Sequence, residues 1–185
     1  MKKIIALVLS VMMLLTCAAA MAEAGKESMG TLKVNKAFEI RYSPLPDDYT
    51  LSIFQQNDMT IIANIKSSQA ALPRMGLTIA FNDEWADTER LNDVSAEDLE
   101  AIKDSFYSEY NELTFETRET AAGTQLLVVT VPSGQDAYVY TIYMVHEIEM
   151  HLIPGEEQEA LSAADIDRVV AFLSDMDFVP MEAAQ

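Results

Sequence analysis

The sequence predicts an α+β domain, an antiparallel sheet of about six to seven strands covered by two amphipathic helices. Three observations carry this. Between residues 37 and 82 four runs rich in Ile, Thr and Phe are separated by clusters of turn-forming residues. Segments 95–110 and 162–178 each open on a serine and repeat apolar residues at helical spacing. Residues 113–153, between those helices, alternate again in strand fashion. Short turns join antiparallel neighbours, whereas parallel crossovers need a dozen or more residues.

Each element has its own warrant. "AFEIRYS" (37–43) alternates, and "PLPDD" (44–48) ends it with two prolines and two aspartates. "YTLSIFQ" (49–55) and "MTIIANIKS" (59–67) flank "QND", a hairpin connection. "MGLTIAFN" (75–82) follows Pro73 as a fourth strand. The first helix starts at Ser95 with Asp98 three residues on, and Leu99, Ile102, Phe106 and Tyr110 share one face. The second repeats the device with Ser162 and Asp165, and buries Ile166, Val169, Val170 and Leu173, joined by Phe172 and Met176. "LTFETRE" (113–119) and "QLLVVTV" (125–131) are strands separated by "AAGT". "AYVYTIYMVHEIEMHLI" (137–153) is too long for one strand of ordinary length, about five to six residues, and is expected to fold as a hairpin near Met144-Val145.

The first 24 residues read as a secretory signal peptide: Lys2 and Lys3, an apolar run from Ile4 to Leu15, and the small-residue sites Ala20-Met21-Ala22 and Ala22-Glu23-Ala24. The run is shorter than the roughly 20 residues a membrane-crossing helix needs. Leu14-Leu15-Thr16-Cys17 resembles a bacterial lipobox, with Thr16 where Gly, Ala or Ser is usual. Soluble export is therefore preferred, and a membrane association follows only if Cys17 is lipidated. Cleavage after Ala24 removes that cysteine, the only one, and with it disulfides, thiol catalysis and cysteine metal sites. Residues 25–36 read as a flexible leader, 37–180 as a single domain and 181–185 as a tail.

The full chain carries a net charge of −18, and cleavage makes it one unit more negative by removing Lys2, Lys3 and Glu23. A protein so acidic repels nucleic acid and anionic headgroups. Its carboxylates are spread along the chain, as on a solvated surface. The six glycines are scattered and form no phosphate-cradling loop, and no cofactor is implied.

The nearest approach to active-site chemistry is "HEIEMH" (146–151), which holds both histidines. A helical zinc signature needs histidines at i and i+4 on one face. Here the spacing is i and i+5, which separates them by roughly 140° on a helix and puts them on opposite faces of a strand. The pair therefore fails as a chelate. On a strand His146, Ile148, Met150 and Leu152 face the core, and Glu147, Glu149, His151 and Ile153 face solvent. Glu147, Glu149 and His151 remain the candidate metal or hydrolytic set, since carboxylates and imidazole bind hard and borderline cations. Ser133 in "VPSGQ" lacks the glycine of a nucleophile elbow. "NDEWADTERLND" (82–93) lacks the ligand spacing of a calcium loop. Trp85 within it is a candidate anchor for a partner or a sugar, against the plainer role of capping the core. Tyr138, Tyr140 and Tyr143 do not share one face and read as cross-strand packing.

"YTIYMVHEIEMHLIPGEE" followed by "LSAADIDRVVAFLSDMDFV" resembles the C-terminal half of small uncharacterised secreted bacterial proteins, over roughly residues 138 to 179. In these a Y-T-I-Y strand turns into an E-I-E strand, and a helix ends in F-L-S-D-x-D-F. The chain departs from that pattern at Met144-Val145-His146, where a glycine-bearing turn is expected. The whole layout is similar to PsbP-like domains, in architecture alone. Neither resemblance implies an activity. The expectation is thus an exported, acidic, non-catalytic module that binds a protein or small molecule. The alternatives are a metal-dependent or carboxylate-based hydrolase using Glu147, Glu149 and His151, and a lipid-anchored assembly factor.

Overall fold

The computed structural model describes residues 30–34, 38–43, 45, 49–107, 110–120 and 123–180. The signal segment with Cys17, leader residues 25–29 and the tail 181–185 lie outside the described residues. The strands are β1 (Gly30–Val34), β2 (Phe38–Tyr42), β3 (Tyr49–Gln56), β4 (Thr60–Ser67), β5 (Arg74–Phe81), β6 (Thr114–Glu119), β7 (Gln125–Thr130), β8 (Ala137–Tyr143), β9 (His146–Ile153) and β10 (Asp177–Pro180). Helix α1 (Ala96–Phe106) lies between β5 and β6, and α2 (Ala163–Ser174) between β9 and β10. One antiparallel sheet has seven strands in the order β3-β4-β5-β9-β8-β7-β6, and a second has three in the order β1-β2-β10.

Both helices begin as the serines require. Ser95 Oγ accepts from Asp98 N–H, and Ser162 from Asp165 N–H. The Asp165 carboxylate returns a bond to Ser162 N–H and closes a capping box. Burial pushes the Asp165 carboxyl up, but hydrogen bonds from Ser162 and Gln158 and the nearby Arg168 outweigh it and hold it below its usual value.

The helices pack on opposite faces of the large sheet, because successive strand residues point to opposite sides. Leu126 and Val128 join a core with Ile61, Ile65, Leu77, Ile79, Ile148, Met150 and Leu152, closed by α2 through Val169, Phe172 and Leu173. The small sheet closes the same face through Leu32, Val34 and Ile40, and Gln56 Nε2 ties the sheets by donating to Lys33 O at 2.9 Å. Leu127 and Val129 face the other way, where Tyr138, Tyr140 and Ile142 meet Ile102 and Phe106 of α1 together with Trp85 and Leu91. That second cover stops short of β4 and β5, none of whose residues belongs to this second core.

Two stretches differ from expectation. Residues 25–36 were to be a flexible leader, yet Gly30–Val34 pairs with β2 over five residues and buries Leu32 and Val34. A strand with two inward apolar residues is too short to announce itself by alternation. The second helix was expected to run to 178, but it ends at Ser174, and Asp177–Pro180 pairs with the free side of β2. Met176 fits the helical period as well as it fits the core, so periodicity alone does not mark the stop.

The 137–153 run does fold as a hairpin, with Tyr143 opposite His146 and a two-residue loop at Met144-Val145. Both loop residues have positive φ, 43° and 61°. A right-handed twist favours such a turn, but it usually takes Asn or Gly. The loop is held from outside: Met144 N–H donates to Glu89 O, and Val145 O accepts from Asn82 N–H.

Candidate functional site

Strand β9 alternates between fully buried and half-buried residues along its whole length. His146 is buried on the closed face, its Nδ1 2.6 Å from Met144 O and its ring edge-on to Phe81. Burial holds its pKa below the usual value against backbone bonds that act the other way. Glu147, Glu149 and His151 lie on the other face as expected, but half-buried, not solvated.

These three side chains serve different neighbours. Glu147 Oε1 accepts from Trp85 Nε1–H at 2.8 Å and from Asn82 Nδ2–H at 2.9 Å. The indole is positioned by a short turn, Asp83–Trp85, capped by Asn82. Trp85 is only 6% exposed and packs in the second core, the plainer of the two roles the sequence offered for it. Tyr140 is also drawn to Glu147, and burial followed by that carboxylate's charge raises its phenol well above the ordinary value. Glu149 stands opposite Thr78 and Tyr140. His151 stands opposite Gly76 and Tyr138. Its Nε2 is 2.7 Å from Asp136 Oδ1, and its ring lies flat on Tyr138 with centroids 4.4 Å apart. Tyr138 in turn shares a 3.0 Å hydrogen bond with Tyr110, and burial raises its pKa.

Glu147 and His151 are four residues apart on one strand, about 13 Å along the backbone. Each already has a hydrogen-bond partner on its own side. Among the described residues no three His, Cys, Asp or Glu side chains are grouped to hold a metal ion.

What the arrangement leaves open is the sheet face beside them. Beyond the edge of α1 a shallow cleft of about 30 Å³ lies over β4, β5 and the end of β9. Asn64, Gly76 and His151 form one row across the three strands by register. Glycine leaves the middle of that row without a side chain, so the floor there is backbone. Lys66 and Arg74 bound one end, Ile62 and Thr78 the other, and Ile153 a side.

Lys66 and Arg74 make one end of the cleft basic. Arg41, Lys103, Arg118 and Arg168 each hold a carboxylate. Neither Lys66 nor Arg74 forms an ion pair among the described residues. Arg74 Nε is the one buried side-chain nitrogen or oxygen there that has no hydrogen-bond partner. Leaving such a donor unmet costs about 1–3 kcal/mol.

Sequence reasoning missed Asp136, Lys66, Arg74, Asn64 and Thr78. The one local signal was Gly76, isolated inside the apolar strand "RMGLTIAF", the usual mark of a bulge or a close approach. No protein-family model matches the chain, and no curated protein matches it either. No helix among the described residues is long and apolar enough to cross a membrane.

Proposed function

We propose that this protein is an exported, non-catalytic binding module of the cell envelope or extracellular space, and that its ligand rests on the open face of β4, β5 and β9. The observation that carries the reading is Arg74 Nε, desolvated and unmet at the edge of a cleft. A folded chain tolerates such a donor where a ligand completes it. The rival hydrolase needs Glu147, Glu149 and His151 to converge on one reacting atom. Glu147 instead ties down the Trp85 turn, and His151 is bonded to Asp136.

The proposal includes export through residues 1–24, with cleavage after Ala24 preferred to lipid attachment at Cys17. N-terminal sequencing and mass spectrometry of the exported protein separate the two. It also takes the layering of sheet and helices as similar to PsbP-like domains, with no residue carried over.

Fragment screening by ¹⁵N amide shifts tests the binding reading. Hits are expected to move the amides of residues 62–66, 74–78 and 149–153. Hits confined to other surfaces would overturn it. So would a hydrolytic activity lost in both Glu149→Ala and His151→Ala.

A further inference from the structure

We infer that the ligand of the open face is a small organic acid bearing one carboxylate, gripped by Arg74 with Lys66 beside it. The inference rests on the open face being the binding surface, and it names the chemistry of the occupant.

Arg74 supplies the first argument. Its Nε–H is buried, and no protein acceptor among the described residues reaches it. A purely apolar ligand covering the rest of the guanidinium would leave further N–H groups unmet, so the ligand must bring an acceptor. Two parallel N–H groups of a guanidinium form a planar fork whose spacing matches the two oxygens of a carboxylate.

Charge supplies the second. The chain as a whole is at −18, a field that opposes any anion. Lys66 and Arg74 line the same cleft, and neither is neutralised by a carboxylate of the described residues. They create a local reversal of sign, strong enough at short range for one negative charge. Asp136, behind His151, disfavours a second. That balance favours a singly charged carboxylate over a doubly charged phosphate.

Shape supplies the third. The cleft encloses only about 30 Å³, room for a carboxylate head, so the rest of the ligand lies along the open floor of the face. Next to the cationic end the lining is the backbone at Gly76 and the side chain of Ile153, with Ile62 at the far end. The anion therefore has an apolar body attached, one that lies over the glycine.

The test is titration of the exported protein with hexanoate, hexyl phosphate, hexan-1-ol and hexylammonium, read by ¹⁵N amide shifts and calorimetry. Hexanoate is expected to move residues 62–66, 74–78 and 151–153 and to bind more tightly than the other three. Arg74→Gln should weaken it at least tenfold, Arg74→Lys less, and Lys66→Gln about threefold, with each variant's amide spectrum checking its fold. Hexan-1-ol binding as well as hexanoate, or hexanoate indifferent to Arg74→Gln, overturns the organic-acid inference and leaves the binding face standing. Tighter binding of hexyl phosphate does the same. Hexanoate that moves no amide of the cleft also overturns it, and the neutral fragment screen then decides separately whether the face binds anything.

Discussion

Cutting the link between Glu147 and Trp85 distinguishes a structural tether from a catalytic carboxylate. Glu147→Ala removes the acceptor of two N–H groups, Trp85 Nε1 at 2.8 Å and Asn82 Nδ2 at 2.9 Å. A hydrogen bond to a charged group contributes about 1.5–3 kcal/mol, and a buried donor left unmet costs about 1–3 kcal/mol. Only the indole is fully buried; Asn82 is half-exposed and recovers water. The loss should therefore be about 2–4 kcal/mol, and about 1 kcal/mol for Glu147→Gln, which keeps an oxygen acceptor. A double-mutant cycle with Trp85→Phe should give a coupling of about 1–2 kcal/mol, because Phe has the ring but no N–H. Urea unfolding followed by far-UV circular dichroism reads all four proteins, since Trp85 is the only tryptophan and fluorescence would vanish with it. A coupling below about 0.5 kcal/mol would refute the tether. A catalytic Glu147 predicts the opposite pattern, with stability intact in Glu147→Gln and an activity gone.

Two further outcomes follow from the hairpin. Val145 has φ of 61°, a conformation that costs an L-residue about 1–2 kcal/mol, while glycine adopts it freely at an entropic loss of about 0.5–1 kcal/mol. Val145→Gly should raise stability by about 0.5–1 kcal/mol, seen as a higher urea midpoint; a fall would mean that the valine side chain contributes more than the turn costs. His146 is held neutral by burial, its pKa below the usual value of about 6.5. Unfolding lets it take a proton, so its contribution is full above pH about 6.5 and declines as pH falls towards the lowered folded value. The drop in urea midpoint between pH 7 and pH 5 should shrink in His146→Gln, and an unchanged drop would count against burial as the cause.

The main hairpin was legible in the sequence, and so was more than the reading drew from it. A two-residue turn at Met144-Val145 makes Tyr143 face His146, and counting outward puts Tyr138 opposite His151. Asp136, one step beyond the strand, is then near the imidazole. What no local pattern supplies is the partner on the other edge of β9. That partner is β5, some seventy residues earlier, and only this pairing lays Gly76 beside His151. Trp85 was readable as a core cap, but its bond to Glu147 was not, because the two are 62 positions apart. β1 and β10 escaped notice for the same reason: each is short and takes its shape from β2 more than from its own residues.

The two faces of the large sheet differ in what they must bury, and the difference points to where function sits. One face is closed along its length by α2 and by a second sheet, with Ile65, Leu77, Ile79, Ile148 and Leu152 essentially inaccessible. Substitutions there act through packing. The other face has its apolar core over β7 and β8, and over β4 and β5 it carries exposed Lys66, half-buried Asn64 and Arg74 and buried Thr78, a mixture that in sequence looks like the wet side of any half-buried strand. Ordinary wet-side polar groups are satisfied by water. Arg74 Nε is buried, and no acceptor among the described residues meets it. That single unmet donor, invisible to alternation and composition, is the feature on which the proposal of a ligand at this face rests.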